Sequence, residues 1–528
     1  MIVKHRVPMI LCLALLAGLP AAAQDLPVLE LSMADAVQRA LENNVDIVVQ
    51  RFNPLAADYT TKQINGYYEP VVYSVLNKNS TDSPATTAFS GATKVSTQTT
   101  VFDFGAAAYL KTGGLLQLGW SNNKQDTNSI FTNFNPAYAS TFRAVLSQPL
   151  LKNFRIDFNR EQLLLAKKTK EITDVQFAET VKNTVANVKN LYYDYIYRID
   201  SLDAARKSLA LAQKLLNENQ IKVKVGTMAP LDVVEAESEV ASREEGVIEA
   251  EAALGDAEDA LKRSIFPRNA PETWDVHLVP TDRPSAEPIA VDAQAALARA
   301  LEQRTDVVQL RKRVEAGQVS VDYNKNQLLP QLDFVGTWGG SGIGGDQLIR
   351  DTLGGPVVET IPGGWGDAVG SIFDYKTWSV GVNVSYPILN KSAKAATAGA
   401  EVLRDQAAAQ LRQLELLVAA EIRTDARAVE SNMKRVAATR AARILQERRL
   451  DAEEKKFAAG MSTNFLVTQA QRDLRDSEVA EIQAISDYRK SIVNYERAQE
   501  AGVSGVTSSA ISTGTPAANR FAGSPSLQ

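Results

Sequence analysis

The sequence has 528 residues, and its 57 basic and 62 acidic side chains give a formal net charge of −5. This is not the basic excess with which proteins bind nucleic acid. One cysteine and two histidines exclude a disulfide framework and the clustered ligands of a zinc site. The acidic residues are scattered along helix faces instead of converging on a site. We therefore expect no enzymatic activity and no cofactor.

The N-terminus has the three parts of a secretory signal peptide. A basic cluster at 4–6 is followed by the apolar run Val7–Leu19 and by the small residues Ala21–Ala23 that a signal peptidase requires. The apolar run is shorter than the roughly 20 residues of a membrane-spanning helix. We predict a signal peptide at 1–23 and a mature chain that begins near Gln24.

The remaining sequence contains one unit twice. The segment Ala40–Ile47 is similar to Ala300–Val307, and the same offset relates Pro70 to Pro330. Further on, the sequence repeats Ser-X-Pro-hydrophobic-Leu, once ending at Leu151 and once at Leu389. Repeated units are the first feature to establish in a chain of this length because they set the number of domains.

We predict a first repeat at 24–266, a proline-rich linker at 267–290 and a second repeat at 291–500. The tail at 501–528 is rich in Ser, Thr, Ala and Gly and has few large apolar residues. Such a composition cannot bury enough apolar surface to fold, so we expect a disordered tail.

Each repeat begins with a helical pattern and continues with strands. The helices are predicted from Ala34 to Asn65 and from Asp292 to Asn326, and each ends before a proline, which disfavours the helical conformation of the preceding residue. Strands are predicted at about 71–80, 141–149, 331–338 and 376–386.

The last of these strands alternates most regularly. Apolar side chains from Trp378 to Tyr386 lie on one face, and polar or small ones from Thr377 to Ser385 lie on the other. Aromatic residues at both ends of an apolar face of about ten residues are typical of a strand that crosses a bilayer. A soluble strand with one buried face would alternate in the same way. The secretory signal and the repeats favour the membrane, with Trp378 and Tyr386 in its interfacial belt.

The first repeat is longer between its prolines than the second, and the excess predicts an extra hairpin at about 95–121. This hairpin could enter a barrel or fold over its rim. In the second repeat, a glycine-rich segment at 339–374 is predicted as an external loop. Four or six strands cannot close a membrane barrel, whose smallest examples have eight, so several chains must share one barrel with closed symmetry.

Long helices follow the strands of each repeat. A helix from 159 to 225 would be about 100 Å long. A return helix follows each glycine turn, at Gly226 and at Gly460. Both long helices carry apolar residues at alternating spacings of three and four, the pattern of a coiled-coil seam; these are Val181, Val185, Val188, Tyr192, Tyr195, Ile199 and Leu202, then Ile422, Ala426, Val429, Met433 and Val436.

The order of these elements, found twice, resembles the TolC-like outer membrane efflux protein family over nearly the whole mature chain. The turns Val225–Val233 and Ala459–Val467 carry the resemblance most clearly. It implies a homotrimer with a shared twelve-stranded transmembrane β-barrel, continuous with a periplasmic α-helical coiled-coil barrel. The fold class expected is thus a mixed α and β membrane protein with two structural repeats per protomer.

The resemblance also implies a function. We expect a passive exit duct in the outer membrane, with a periplasmic extension that meets a periplasmic adaptor and an inner-membrane transporter. Drug efflux and type I protein secretion both fit, because the transporter largely selects the cargo. The alternative is a periplasmic coiled-coil structural protein, which would explain the heptads but not the alternating strands with their aromatic ends.

By the same resemblance, the two turns between long helices are the adaptor-docking tips. Glycine in such a turn also ends a helix by adopting the left-handed conformation, and the two roles are compatible. The residues assigned to docking are Val225, Gly226, Thr227, Ala459, Gly460 and Met461.

The sequence departs from the family at the periplasmic gate. Some members close through an aspartate in the first tip that bonds a tyrosine and an arginine in the second. Asp232 matches that aspartate, but Phe457 and Ser462 occupy the other two positions. The positions of the family's acidic ring are Leu466 and Gln469.

We therefore predict a constriction that is less selective for cations. It would close by packing of Phe457, Phe465 and Leu466 and not by ion pairs. Alternatively, these side chains only pack between helices.

Overall fold

A computed structural model describes residues 27–85, 93–267 and 274–502. The predicted signal peptide lies outside these residues, and so does the predicted tail apart from its first two residues. The described helices are α1 (Met33–Asn43), α2 (Val45–Asn65), α3 (Phe158–Lys224), α4 (Pro230–Ile265), α5 (Ala293–Gln303), α6 (Thr305–Asn326), α7 (Trp365–Gly370), α8 (Lys391–Ala458) and α9 (Asn464–Glu500).

The described strands form a small parallel pair and one larger antiparallel sheet. Their bounds are β1 (Val28–Leu31), β2 (Val71–Pro84), β3 (Lys94–Tyr109), β4 (Leu115–Thr127), β5 (Phe134–Pro149), β6 (His277–Pro280), β7 (Gln331–Arg350), β8 (Val357–Ile361) and β9 (Tyr375–Ser385).

The chain divides into two compact units. The first contains the described residues of Met1–Asn44, Leu191–Ser285 and Gln446–Ile482. The second contains those of Val45–Asn190, Ala286–Leu445 and Gln483–Gln528. The larger sheet belongs entirely to the second unit, whereas the two turns that join long helices belong to the first.

In the first unit, β1 and β6 form the parallel pair against α3. The Tyr192 hydroxyl donates to the Leu31 carbonyl at 2.9 Å, and the Tyr195 hydroxyl donates to the Leu278 carbonyl at 2.6 Å. Both rings are buried, and burial raises the pKa of the Tyr195 hydroxyl. The segment predicted as a linker, 267–290, therefore contains a strand that is bonded to the core. Four residues with little periodicity gave no strand signal, because the pairing partner lies far away in the sequence.

Each predicted pre-strand helix is in fact a pair of helices. In the first unit, α1 ends at Asn43, whose side-chain amide donates to the Ile265 carbonyl at 3.3 Å, while Asn44 donates to Ser264 at 3.2 Å. In the second unit, the corresponding break lies at Arg304. The apolar periodicity continues through both breaks, so it could not reveal them.

The larger sheet has the strand order β2-β3-β4-β5-β7, and both β8 and β9 pair with the far side of β7. The predicted extra hairpin is β3 and β4, and it lies between β2 and β5 within the sheet. All of these pairings are antiparallel.

The glycine-rich segment predicted as a loop, 339–374, contains strand residues and the short helix α7. β7 continues to Arg350, and α7 packs across it. Side chains at Gly340 and Gly342 would overlap the carbonyl oxygens of Ile372 and Ala368. Glycine reduces intrinsic strand propensity, which made a loop the natural prediction, but here it permits a close approach of backbone to backbone.

The predicted apolar seams of α3 and α8 are largely buried. Val188, Tyr192 and Ile422 are fully covered, and the neighbouring seam positions are buried or half-buried. Across the described ranges, no helix is both long enough and apolar enough to cross a membrane.

Candidate functional site

The two turns between long helices have the same hydrogen-bond pattern. After α3, the N–H of Thr227 donates to the Lys222 carbonyl at 2.9 Å, and that of Gly226 donates to Val223 at 3.0 Å. This pair of bonds is the Schellman motif, which ends a helix with a left-handed residue; φ of Gly226 is 80°.

The second turn repeats the motif. After α8, the N–H of Met461 donates to the Lys456 carbonyl at 2.8 Å, and that of Gly460 donates to Phe457 at 3.2 Å. The φ angle of Gly460 is 74°. At each turn one apolar side chain is left exposed, Val225 at 68% and Met461 at 74%. The predicted tip residues are therefore two equivalent, exposed turns.

Phe457 lies inside the helical core of the first unit and is only 6% exposed. It belongs to an apolar cluster formed by α3, α8 and α9, and the Lys222 ammonium lies 3.5 Å from the centre of its ring. The cluster contains Leu215, Leu450, Val467, Ala470 and Leu474. In this structure the ring fills a core between α3, α8 and α9.

Ser462 bonds back to the preceding helix, α8. Its hydroxyl donates to the Glu453 carboxylate, and this bond, with the nearby Lys456 ammonium, keeps the pKa of Glu453 below its ordinary value. Asp232 lies in the first turn of α4, where its N–H donates to the Ala229 carbonyl at 3.2 Å. Asp232 thus occupies the position predicted for the lock's aspartate, whereas Ser462, at the position predicted for its arginine, bonds Glu453.

The first turns of α9 carry the remaining residues that were predicted for the gate. Phe465 is 64% exposed and Leu466 is 43% exposed. The Gln469 side-chain amide donates to Asp473 at 2.8 Å, and Asp473 also pairs with Arg449 at 2.6 Å. Of the three residues predicted to close the constriction by packing, Phe465 and Leu466 are therefore exposed and Phe457 is buried.

A buried ion cluster joins α4 to α9 next to these residues, and the sequence analysis missed it. Glu239 and Arg243 are each 6% exposed, with an ion-pair distance of 2.6 Å, and Arg472 also bonds Glu239. Burial alone would raise the pKa of Glu239, but the two guanidinium groups outweigh it and hold that pKa below its ordinary value. The available signal was the Glu–Arg spacing of four on a helix.

The larger sheet has one apolar face and one polar face. We call the face that carries Trp378 the apolar face. Along β9 its side chains are mostly uncovered, with Trp378 74%, Val380 64%, Val382 55% and Val384 69% exposed. The opposite, polar face carries polar residues from β3, β4, β5, β7 and β9, including Asp103, Gln117, Ser121, Asn123, Thr141, Arg143, Thr337, Ser379 and Asn383.

Aromatic side chains form a row across the apolar face. Phe104 pairs with Trp120, Trp120 pairs with Phe142, and Trp338 lies opposite Trp378 in the strand register. The predicted belt residue Trp378 therefore belongs to a longer row. Tyr386, the other predicted belt residue, follows the last residue of β9 and is 49% exposed.

The segment around α7 covers part of the apolar face above this row. The Trp365 ring stacks on Trp120 with centroids 5.7 Å apart, and its indole N–H donates to Asn122 at 3.1 Å. Ser140 donates to the same Asn122 oxygen at 2.6 Å, and both polar residues are buried. Sequence reasoning missed this cover; two aromatic residues, Trp365 and Phe373, in a glycine-rich stretch were its only sign.

Comparisons with known proteins decide the family. The family described as outer membrane efflux protein matches residues 36–265 and 296–498. The chain belongs to the outer membrane efflux protein family. Members of this family are channels and not enzymes, so the channel prediction is confirmed at that level and the periplasmic scaffold alternative is not supported.

Solved structures of outer-membrane channels share the fold. The outer-membrane channel OprN is 18% identical with a TM-score of 0.64, and the alignment covers 89% of this chain and 90% of OprN. The Campylobacter jejuni CmeC channel is 14% identical with a TM-score of 0.60, covering 89% and 85%. The open state of the Neisseria gonorrhoeae MtrE channel is 14% identical with a TM-score of 0.60, and the alignment covers 89% of each chain. No curated protein gave a significant sequence match.

Family membership supports an outer-membrane location for this efflux family protein. Channels of the outer membrane efflux protein family are homotrimers that work with adaptor proteins and inner-membrane pumps. The sequence therefore identified the family and the class of function correctly from the order of its elements.

Proposed function

We propose that three copies of this chain form an exit duct through the outer membrane, with the larger sheet contributing to a transmembrane β-barrel and the long helices forming a periplasmic extension. The observation that carries the proposal is the apolar face of the sheet. Large apolar side chains of β9 are more than half exposed in the single chain, whereas the opposite face is polar. This is the pattern of strands with lipid on one side and water on the other.

The repeats proposed for 24–266 and 291–500 are supported by the order of the elements. Two short helices precede the strands in each, and two long helices follow them. The turns at Gly226 and Gly460 share one hydrogen-bond pattern.

Passage through the duct would be passive. Polar side chains would line a water-filled path, and the partner transporter would supply the energy. Membrane fractionation tests the location: we expect the protein in the outer-membrane fraction and resistant to carbonate extraction. Recovery in the soluble periplasmic fraction would contradict the proposal.

We propose that the two exposed turns dock a periplasmic adaptor. A photo-crosslinking residue at Met461 should capture the adaptor in cells, because this side chain is 74% exposed at the second turn. Leu353, which is 89% exposed in the loop between β7 and β8, is a matched control that should capture none. Capture at both sites, or at Leu353 alone, would argue against docking at the turns.

We propose that the constriction lies near the start of α9 and lacks the acidic ring of other members. Leu466→Asp should therefore increase the preference for cations in planar-bilayer recordings, because it places one carboxylate per protomer at the narrowest point. The control is Ile248→Asp, since Ile248 is also exposed, at 67%, but lies in the middle of α4. Equal effects of the two substitutions would locate the constriction elsewhere.

A further inference from the structure

The extra hairpin is a bonded part of the sheet. β3 pairs with β2 along the full length of β2, from Val71 opposite Ala107 to Pro84 opposite Lys94. On its other side, β4 pairs with β5 from Leu115 opposite Ser147 to Gln125 opposite Ala137. Since both strands of the hairpin have partners on each side, the hairpin cannot fold over the rim without breaking these ladders.

The hairpin has the same two faces as the rest of the sheet. Phe104 and Trp120 continue the aromatic row, and Leu116 and Leu118 lie on the apolar face beside them. Polar residues such as Asp103 alternate with them on the other face. A hairpin with this alternation suits the boundary between lipid and water, where β9 is also proposed to lie.

The strand directions allow closure. Along the order β2-β3-β4-β5-β7-β9, every neighbour is antiparallel, so the two free edges, β2 and β9, run in opposite directions. In a ring of identical chains, β9 of one copy would therefore meet β2 of the next in antiparallel pairing. An unpaired edge within lipid costs several kcal/mol for each backbone group, so closure is strongly favoured.

We infer that each protomer contributes six strands and that the trimer encloses an eighteen-stranded barrel instead of the twelve-stranded barrel implied by the family resemblance. This inference rests on the proposed function. Strands about 4.8 Å apart and tilted by about 40° give a backbone diameter of about 36 Å for eighteen strands and about 24 Å for twelve. The barrel would be about 1.5-fold wider.

In a wider barrel, the size of the cargo would be limited by the helices and not by the barrel. Barrels of sixteen to eighteen strands enclose an open aqueous channel. The α7 segment packs on the apolar face, opposite the polar face that would line the path, so it would not occlude the lumen. Cargo admitted by the periplasmic constriction, including bulky solutes, would then leave without a second barrier at the barrel.

Paired cysteines test the strand order in the full-length protein in outer membranes. Cys12 is the only cysteine of the sequence and lies in the predicted signal peptide, so introduced pairs meet no thiol in the described residues. Gln117→Cys with Val145→Cys joins Cα partners of β4 and β5 on the polar face and should cross-link within one chain.

The matched control is Val71→Cys with Val145→Cys. Val71 lies at the same level and on the same face, but β3 and β4 separate it from Val145 by about 14 Å. In a twelve-stranded barrel without the hairpin, β2 would adjoin β5 and this second pair would cross-link instead. Cross-linking of the first pair and not the second supports the inference, and the reverse overturns it.

Electron cryo-microscopy of the trimer in lipid nanodiscs counts the strands directly. Eighteen strands are expected. A membrane trimer with twelve strands and a displaced hairpin would overturn this inference but leave the proposed function intact. A protein that forms no trimer in membranes would overturn the proposed function itself, and the eighteen-stranded barrel with it.

Discussion

Replacing Phe457 with alanine distinguishes a core residue from a gate residue. The ring is 6% exposed and fills a cluster of apolar side chains from three helices. Truncating a buried phenylalanine costs about 3–5 kcal/mol, since it removes apolar contacts and leaves a cavity. The Lys222 ammonium, 3.5 Å from the ring centre, adds about 0.5–1 kcal/mol because it is partly solvated.

Hydrogen–deuterium exchange of the detergent-solubilised protein measures this effect locally. A loss of about 3 kcal/mol in opening free energy accelerates exchange by about a hundredfold, since 1.4 kcal/mol corresponds to a factor of ten. The acceleration should appear at the end of α8 and the start of α9. Phe465→Ala is the matched control: the same truncation at a side chain that is 64% exposed should change the opening free energy by about 0.5 kcal/mol or less.

Bilayer recordings provide the refuting result. If Phe457 closed the pore, Phe457→Ala would raise conductance while exchange in its helices stayed unchanged. That outcome would show that the ring faces the lumen and that the packing argument is wrong. We expect instead that Phe457→Ala accelerates exchange and leaves conductance unchanged. Phe465→Ala should affect conductance more than exchange.

Three further substitutions test the helices by thermal unfolding. Burial raises the pKa of Glu179 above its ordinary 4.5, so the ionisation of this carboxyl opposes folding. The free energy of unfolding therefore falls as the pH rises from 4.5 to the pKa of the folded state. Glu179→Gln should raise Tm at pH 7.5 but not at pH 4, and an equal rise at both pH values would contradict this. Tyr195→Phe leaves a buried carbonyl unpaired and should cost about 1–3 kcal/mol, whereas the half-buried Tyr197→Phe should cost under about 0.5 kcal/mol. Gly226→Ala should cost about 1 kcal/mol from its positive φ alone, while Gly246→Ala within α4 should stabilise by about as much; two changes of the same sign would refute the assignment of the turn.

The predicted seams show which features periodicity can reveal. Val188, Tyr192 and Ile422 were predicted to face a helical partner, and all three are fully buried. Spacing alone suffices here because a helix places residues three and four apart on one side. The two glycine turns could also be predicted from local sequence, since a left-handed residue at a helix end strongly favours glycine.

Pairing between distant segments could not be predicted in this way. β1 and β6 are four-residue strands that gain their stability from one another and from tyrosine hydroxyls of α3. The buried contacts of Arg304 are similar: it meets Asp306 at 3.0 Å, Glu421 at 2.7 Å and the Ala498 carbonyl at 3.0 Å. Only Asp306 is near it in the sequence.

The candidate site likewise has features that the sequence reveals and features that only the structure reveals. The sequence located the two exposed turns, and it has Phe457 and Ser462 at the positions predicted for the lock's tyrosine and arginine. It did not reveal that Phe457 is buried, because a phenylalanine near a turn is compatible with a core, a lumen or a surface. Nor did it reveal the Glu239–Arg472 bond, which joins α4 to α9 across a long stretch of sequence.

By itself, the sequence determined the alternation of the strands, the seams of the long helices and the left-handed turns, because each depends on residues within a few positions of one another. The tertiary structure decided the place of the extra hairpin. Residues 94–127 carry an alternation that suits any antiparallel sheet, and only the ladders to β2 and β5 insert them into its middle. Strand order is set by long-range hydrogen bonds, and the width of the proposed barrel depends on that order.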